Sequence, residues 1–273
     1  MQKLLLFFFW VLSLSVFGQG FHHVGARSNA LAGASVTIED VWAYHHNPGA
    51  LASIKTLAVG AYYDSRFLTK ELQTQALTFA IPLKKGVISA GAQFFGYEQY
   101  RQSRFGLGYS LQLTERFSAG VQINGQQLKL ANNYGSSFNG TIEAGLMAKI
   151  SEKWKIGASV MNIGRQRISS LDDRFTSVMR IGAFYQPAKK ITVLFEVEKE
   201  VIHQIAFKGA LEYRIVDPLY LRLGAQSGPS NFAFGFGYQK KGIHLDLGTR
   251  YHQVLGWTPN IGITYQVPEH EAK

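Results

Sequence analysis

The sequence has no cysteine in 273 residues. Disulfides, thiolate nucleophiles, zinc–thiolate sites and iron–sulfur clusters are thereby excluded. Long apolar runs are also missing from the interior: none reaches the ~20 residues that a spanning helix needs. The mean hydropathy, −0.03, is too polar for a helical membrane protein. Acidic residues are few, 18 against 28 Lys and Arg, giving a net charge of +10. The basic residues form no dense block, so the charge does not point to nucleic acid. Several lie in tight turns, as in Lys84-Lys85, Lys189-Lys190 and Lys240-Lys241. There they serve as gatekeepers and as contacts for anionic head groups, which makes outer-membrane lipid and lipopolysaccharide the expected partners.

What the sequence has is alternation. Between residues 105 and 113, Phe105, Leu107, Tyr109, Leu111 and Leu113 fall on one side of an extended chain, and Gly106, Gly108, Ser110 and Gln112 on the other. Fourteen such runs are predicted: 56–64, 73–82, 86–96, 105–113, 117–130, 140–150, 154–163, 176–186, 190–199, 204–215, 218–226, 231–239, 242–251 and 258–267. Most have the ~9–11 residues with which a tilted strand crosses a bilayer. Connections after even-numbered strands are short and most of those after odd-numbered strands are longer, as at 131–139. The expected fold class is all-β: a fourteen-stranded antiparallel transmembrane barrel, with both chain ends in the periplasm. A secreted soluble β-protein would also alternate. It would rarely need so many even strands, and the small, polar second face here would make a poor core.

The chain divides into four parts. Residues 1–19 read as a cleaved secretory leader, with Lys3 before the apolar stretch Leu4 to Phe17 and Gly18 at the cleavage site. Residues 20–54 lack the two-residue period and are expected to form short helices and turns. Residues 55–267 are the barrel, and residues 268–273 a polar tail.

Charge is predicted on the inner wall. Glu143 points inward from the sixth strand, Glu196 and Glu198 from the ninth, and Lys208 and Glu212 from the tenth. Arg222 does so from the eleventh, and His244, Asp246 and Arg250 from the thirteenth. Unpaired charge in a narrow lumen is costly, so these groups are expected to pair across strands or with the N-terminal segment. The pairs His22-His23 and His45-His46 lack a carboxylate or thiol at ligand spacing, and polar packing is the expected role rather than metal binding. No motif brings nucleophile, base and orienting group together, so no enzyme activity and no cofactor are expected.

The N-terminal segment carries a familiar pattern. It runs Gly25-Ala26-Arg27-Ser28-Asn29-Ala30-Leu31-Ala32-Gly33-Ala34, then Glu39-Asp40, then His46-Asn47-Pro48-Gly49-Ala50-Leu51-Ala52. This resembles the N-terminal signature of the FadL-like outer-membrane superfamily, roughly G-A-R-x-x-x-[ML]-G-G-A, an acidic pair, then W-N-P-A-G-L-A. The match departs at Leu31-Ala32, at the Gly49-Ala50 order and at His46, where Trp is common. The resemblance implies that the segment folds into the lumen as a hatch, with Gly25, Arg27, Gly33, Asp40, Asn47, Pro48 and Gly49 as its signature positions. It implies one of two roles. Modest loops and a charged inner wall favour a PorV/PorQ-like docking component of type IX protein secretion, with secretion-system proteins as partners. The alternative is a passive uptake channel for a small hydrophobic ligand, in which the hatch would shift around Asn47-Pro48-Gly49.

Overall fold

A computed structural model describes residues 23–131, 135–164, 175–201 and 203–268. The expected leader, His22, and the polar tail beyond Pro268 lie outside the described residues. The strands are β1 (Ala58–Ser65), β2 (Gln73–Pro82), β3 (Val87–Gly96), β4 (Tyr100–Gln112), β5 (Phe117–Leu130), β6 (Ser136–Lys149) and β7 (Trp154–Met161). They continue with β8 (Val178–Ala188), β9 (Ile191–Glu200), β10 (Ala206–Val216), β11 (Leu219–Gln226), β12 (Asn231–Lys240), β13 (Ile243–His252) and β14 (Gly256–Gln266). Each pairs antiparallel with its sequence neighbours, and β1 pairs with β14 from Ala58↔Gln266 to Asp64↔Asn260. The result is a closed fourteen-stranded barrel, which removes the free edges an open sheet would expose.

The predicted strands differ most at two starts. β4 begins at Tyr100 rather than 105, and β6 at Ser136 rather than 140. Their opening residues, Tyr100-Arg101-Gln102-Ser103-Arg104 and Ser136-Ser137-Phe138-Asn139, are too polar to show a two-residue apolar period. Pairing with β5 carries them instead, through Tyr100↔Leu130 and Ser136↔Lys129.

The two faces of the wall differ as the alternation requires. On β5, Val121 and Ile123 are 57% and 67% exposed, while Gln122 and Asn124 are 1% exposed and point inward. The apolar side of the barrel therefore faces out and the polar side in. Aromatic residues rim the outer belt at both ends. At the short-turn end Trp154 stacks on Tyr185, its direct cross-strand partner, with ring centroids 4.2 Å apart. The Tyr109 hydroxyl donates to the Lys85 carbonyl at 2.8 Å. At the other end Trp257 packs against Tyr251 and Phe234. An apolar belt between aromatic girdles is the surface of a barrel solvated by lipid. The turns after β2, β4, β6, β8, β10 and β12 span only two to four residues, and most of them carry Lys or Arg just beyond the girdle.

Residues 23–54 fill the lumen. They form helix α1 (Ala26–Ala30) and two 3-10 turns, Val41–His45 and Pro48–Ser53. α1 lies against β11–β14, and the second 3-10 turn against β4–β7. The segment thus bridges opposite walls. Val24, Val41, Trp42, Tyr44 and Leu51 form one buried cluster with Ala58, Ala76 and Ala80 of the wall.

Depth in the lipid belt sets the cost of an outward charge. Ile123→Arg, at mid-belt, is expected to lower folding stability in lipid vesicles by about 2–4 kcal/mol. Lys85→Ala, in a turn, is expected to change it by less than about 0.5 kcal/mol. Equilibrium refolding in urea, read by the gel shift between unboiled and boiled protein, checks both. Equal effects would contradict a bilayer-facing belt.

Candidate functional site

The inward charges fall into three main groups, beside a separate pair between Lys155 on β7 and Glu39 of the N-terminal segment. In the first, Arg27 of α1 makes a two-point contact with Glu212 on β10, Nε to Oε2 at 2.9 Å and Nη2 to Oε1 at 2.6 Å. Its Nη1 reaches Asp40 Oδ2 at 3.3 Å. Glu212 also accepts from Arg222 Nε at 2.6 Å, and Arg222 Nη1 donates to Asp246 Oδ1 at 2.5 Å. Glu212 and Arg222 are direct cross-strand partners. Five charges from α1, the Asp40 turn, β10, β11 and β13 thus meet, and Arg27 is the cation that the wall alone does not supply.

The second group lies one register step away. Lys208 Nζ donates to Glu196 Oε1 at 3.0 Å and Glu198 Oε2 at 2.8 Å, and Arg180 Nε donates to Glu198 Oε2 at 2.8 Å. Two cations balance two carboxylates. The other Glu196 oxygen accepts from the backbone N–H groups of Ser35 and Val36, both at 2.8 Å, so this wall carboxylate also holds the N-terminal segment. The third group is Arg104 Nη2 with both oxygens of Glu143, at 2.6 and 2.7 Å. Arg250 stands apart from these and donates to Asn29 Oδ1 at 2.8 Å.

The signature residues all sit in this segment. Gly25, at φ 92°, caps α1 against the Trp42 ring. Gly33, at φ 78°, lies under the His23 ring, and its carbonyl accepts from Lys208 at 3.3 Å. Asp40 caps the first 3-10 turn by accepting from Trp42 N–H at 2.9 Å. Asn47 caps the second by accepting from Gly49 N–H at 3.0 Å, while its amide donates to Val36 O at 2.7 Å and Leu146 O at 3.0 Å. The Pro48 and Gly49 carbonyls accept from Ser110 and Ser118 of the wall. His45 and His46 are buried. Burial, with Arg104 near His45 and Arg180 near His46, holds both imidazoles well below their ordinary value, so they pack as neutral rings. Among the described residues, no group of three or more His, Asp or Glu is placed to hold a metal ion.

The wall makes room for the segment with glycine. Inward glycines on eight strands approach residues 30–48 so closely that an added Cβ would collide. At Gly145 it would meet the Asn47 side chain and the Pro48 ring, and at Gly120 the Pro48 carbonyl.

Sequence reasoning missed three partners. Arg104 lies in the polar start of β4, outside the predicted strand. Arg180 follows Met179 and precedes Ile181, two outward residues, so the same alternation could have placed it inward. Tyr62, which accepts from Asn29 at 2.6 Å and donates to Asp64 at 2.7 Å, looked like one more aromatic.

The inner wall is not charged all round. Phe95, Leu128 and Phe175 are buried near the long-loop end, where Tyr100 and Leu130 pack against Leu128 and Phe175. These residues form an apolar patch drawn from β3–β5 and from Phe175 just before β8, with the Arg104–Glu143 pair on the same side and the other ion pairs on β7–β13.

No protein-family model and no curated protein matches the sequence. Solved structures do match in fold. One is the CymD monoaromatic hydrocarbon channel, 12% identical, with a TM-score of 0.72 over 92% of this chain and 100% of that one. Another is the Ralstonia pickettii toluene transporter TbuX, 12% identical, with a TM-score of 0.68 over 91% of this chain and 99% of that one. A Pseudomonas aeruginosa FadL homologue is 9% identical, with a TM-score of 0.56 over 89% of this chain and 96% of that one. The protein therefore has the fold of the FadL-like outer-membrane barrels.

These likenesses correct the expectation of a PorV/PorQ-like docking component in type IX secretion. Barrels that share the fold along nearly the whole chain include hydrocarbon and toluene channels. The inward charges expected on strand six and strands nine to thirteen are paired with one another, with other wall charges or with the N-terminal segment, and an apolar patch lies near the long-loop end.

Two outcomes follow. Removing one member of the Arg104–Glu143 pair strands the other in a buried site, so Arg104→Met and Glu143→Gln should each cost about 3 kcal/mol. The double variant should recover more than half, as measured by a double-mutant cycle in urea. Gly145→Val should push Asn47 and Pro48 off the wall. Planar-bilayer recordings should then show open-channel current that the unaltered protein lacks.

Proposed function

We propose that the protein is a non-enzymatic outer-membrane channel for the passive uptake of small hydrophobic molecules. Residues 1–19 export it, and residues 20–54 act as its hatch. The observation that carries this reading is an apolar patch near the outer mouth, where Leu128 and Phe175 pack with Tyr100 and Leu130, beside a segment held by paired charge. An apolar solute leaving the aqueous outer layer gains about 25 cal/mol per Å² of surface buried against such a patch. It would pass inward when the hatch shifts at Asn47-Pro48-Gly49, where two 3-10 turns meet and the hold on the wall is a set of single hydrogen bonds. The solved hydrocarbon and toluene channels of the same fold support this direction.

Intact Gram-negative cells expressing the protein should take up radiolabelled toluene at nanomolar concentration faster than cells with an empty vector. Leu128→Asn combined with Phe175→Asn should reduce the gain at least about fivefold, since it removes most of the patch's apolar surface. Uptake equal to the empty vector in cells whose membranes contain folded protein would overturn the reading.

A further inference from the structure

On the long-loop side of α1 lies a second cavity, of about 250 Å³, bounded by the segment and by the ends of β1 and β9–β14. It is distinct from the apolar patch on β3–β5. Several of its polar atoms are buried without a hydrogen-bond partner: Asn231 Oδ1, Gln226 Oε1 and Arg250 Nε, together with one oxygen each of Asp64 and Glu200. Asn231 is 5% exposed, and its amide N–H already donates to the Pro229 carbonyl, which fixes the oxygen's direction. Gln226 faces it directly across the β11–β12 pair. Leaving such groups unpaired costs about 1–3 kcal/mol each, so the cavity is built for something that hydrogen-bonds.

Each carboxylate at the edge is already engaged once within the chain. Glu198 is taken by Lys208 and Arg180, Asp64 accepts from the Tyr62 hydroxyl, and Glu200 lies 3.0 Å from His203 Nδ1. What remains is acceptor oxygens on Asn231 and Gln226, with the second oxygens of Asp64 and Glu200 at the edge, against one donor, Arg250 Nε. Beside them stands a ring wall: Phe67 meets His252 edge-on with centroids 6.1 Å apart. Phe67 is held there at φ 54°, a backbone region bulky residues seldom occupy, while its N–H donates to Thr258 Oγ1 at 3.3 Å. The volume is below the roughly 300–1,000 Å³ of sites for drug-sized ligands and suits a single ring.

We propose that this cavity binds a small ring compound bearing hydroxyl groups, in preference to a bare hydrocarbon. Two hydroxyl hydrogens would satisfy Asn231 and Gln226, a hydroxyl lone pair would accept from Arg250 Nε, and the ring would lie against Phe67 and His252. This deepens the uptake reading by naming the polar group of its substrate, but it stands on other atoms than the apolar patch.

Isothermal titration of the folded, detergent-solubilised protein with resorcinol and with toluene tests it. Resorcinol should bind at least tenfold tighter than toluene. Asn231→Leu with Gln226→Leu should abolish that preference. Phe67→Ala, in a surface loop and safe for folding, should weaken resorcinol at least fivefold. Toluene binding as tightly as resorcinol, no heat from resorcinol (water alone filling the cavity), or resorcinol binding unchanged in folded variants would each overturn the proposal. Toluene uptake by intact cells separates the two readings: if it persists while resorcinol fails to bind, the site is wrong and the channel stands. If it is absent while resorcinol binds, the reverse holds.

Discussion

A charge placed inside a narrow barrel must meet its opposite there, because little water is left to solvate it. That constraint organises this molecule. Glu212 stands between Arg222 of the wall and Arg27 of the N-terminal segment, and Glu196 between Lys208 and the backbone N–H groups of Ser35 and Val36. Neither carboxylate is fully satisfied by the wall. The segment completes the barrel electrostatically, and the barrel completes the segment, whose short helix and 3-10 turns would have little reason to form alone.

Shape follows the same division of labour. At many points the segment lies close against the wall's backbone because the wall presents glycine there. The outward side of those strands is unaffected: Ile123, Leu146 and Phe234 still face lipid while Gly120, Gly145 and Gly235 face in. Strand alternation lets one residue serve the membrane and its neighbour serve the lumen.

Much of the fold was legible because the two-residue period is the direct imprint of a wall with two solvents. The whole of Phe117–Leu130 and the start of β7 at Trp154 could be placed from it. The period fails at Tyr100–Arg104, where both faces are polar, and Arg104 was lost there along with the pairing of Glu143. The small inward residues looked merely too small for a core. Only the three-dimensional placement shows that Gly120 and Gly145 are the seats of Pro48 and Asn47. The inward charges were legible one by one, but a list along the chain does not show which of them pair, nor that Leu128 and Phe175 meet near the long-loop end.

The central claim is that residues 23–54 are held inside the barrel by paired charge and backbone contact with the wall. Hydrogen–deuterium exchange of the protein in lipid nanodiscs reads this directly. Amides of α1 and of the Val41–His45 and Pro48–Ser53 turns are predicted to exchange as slowly as those of the barrel strands. Exchange of those amides at the rate of an unstructured peptide, beside protected strands, would contradict the account.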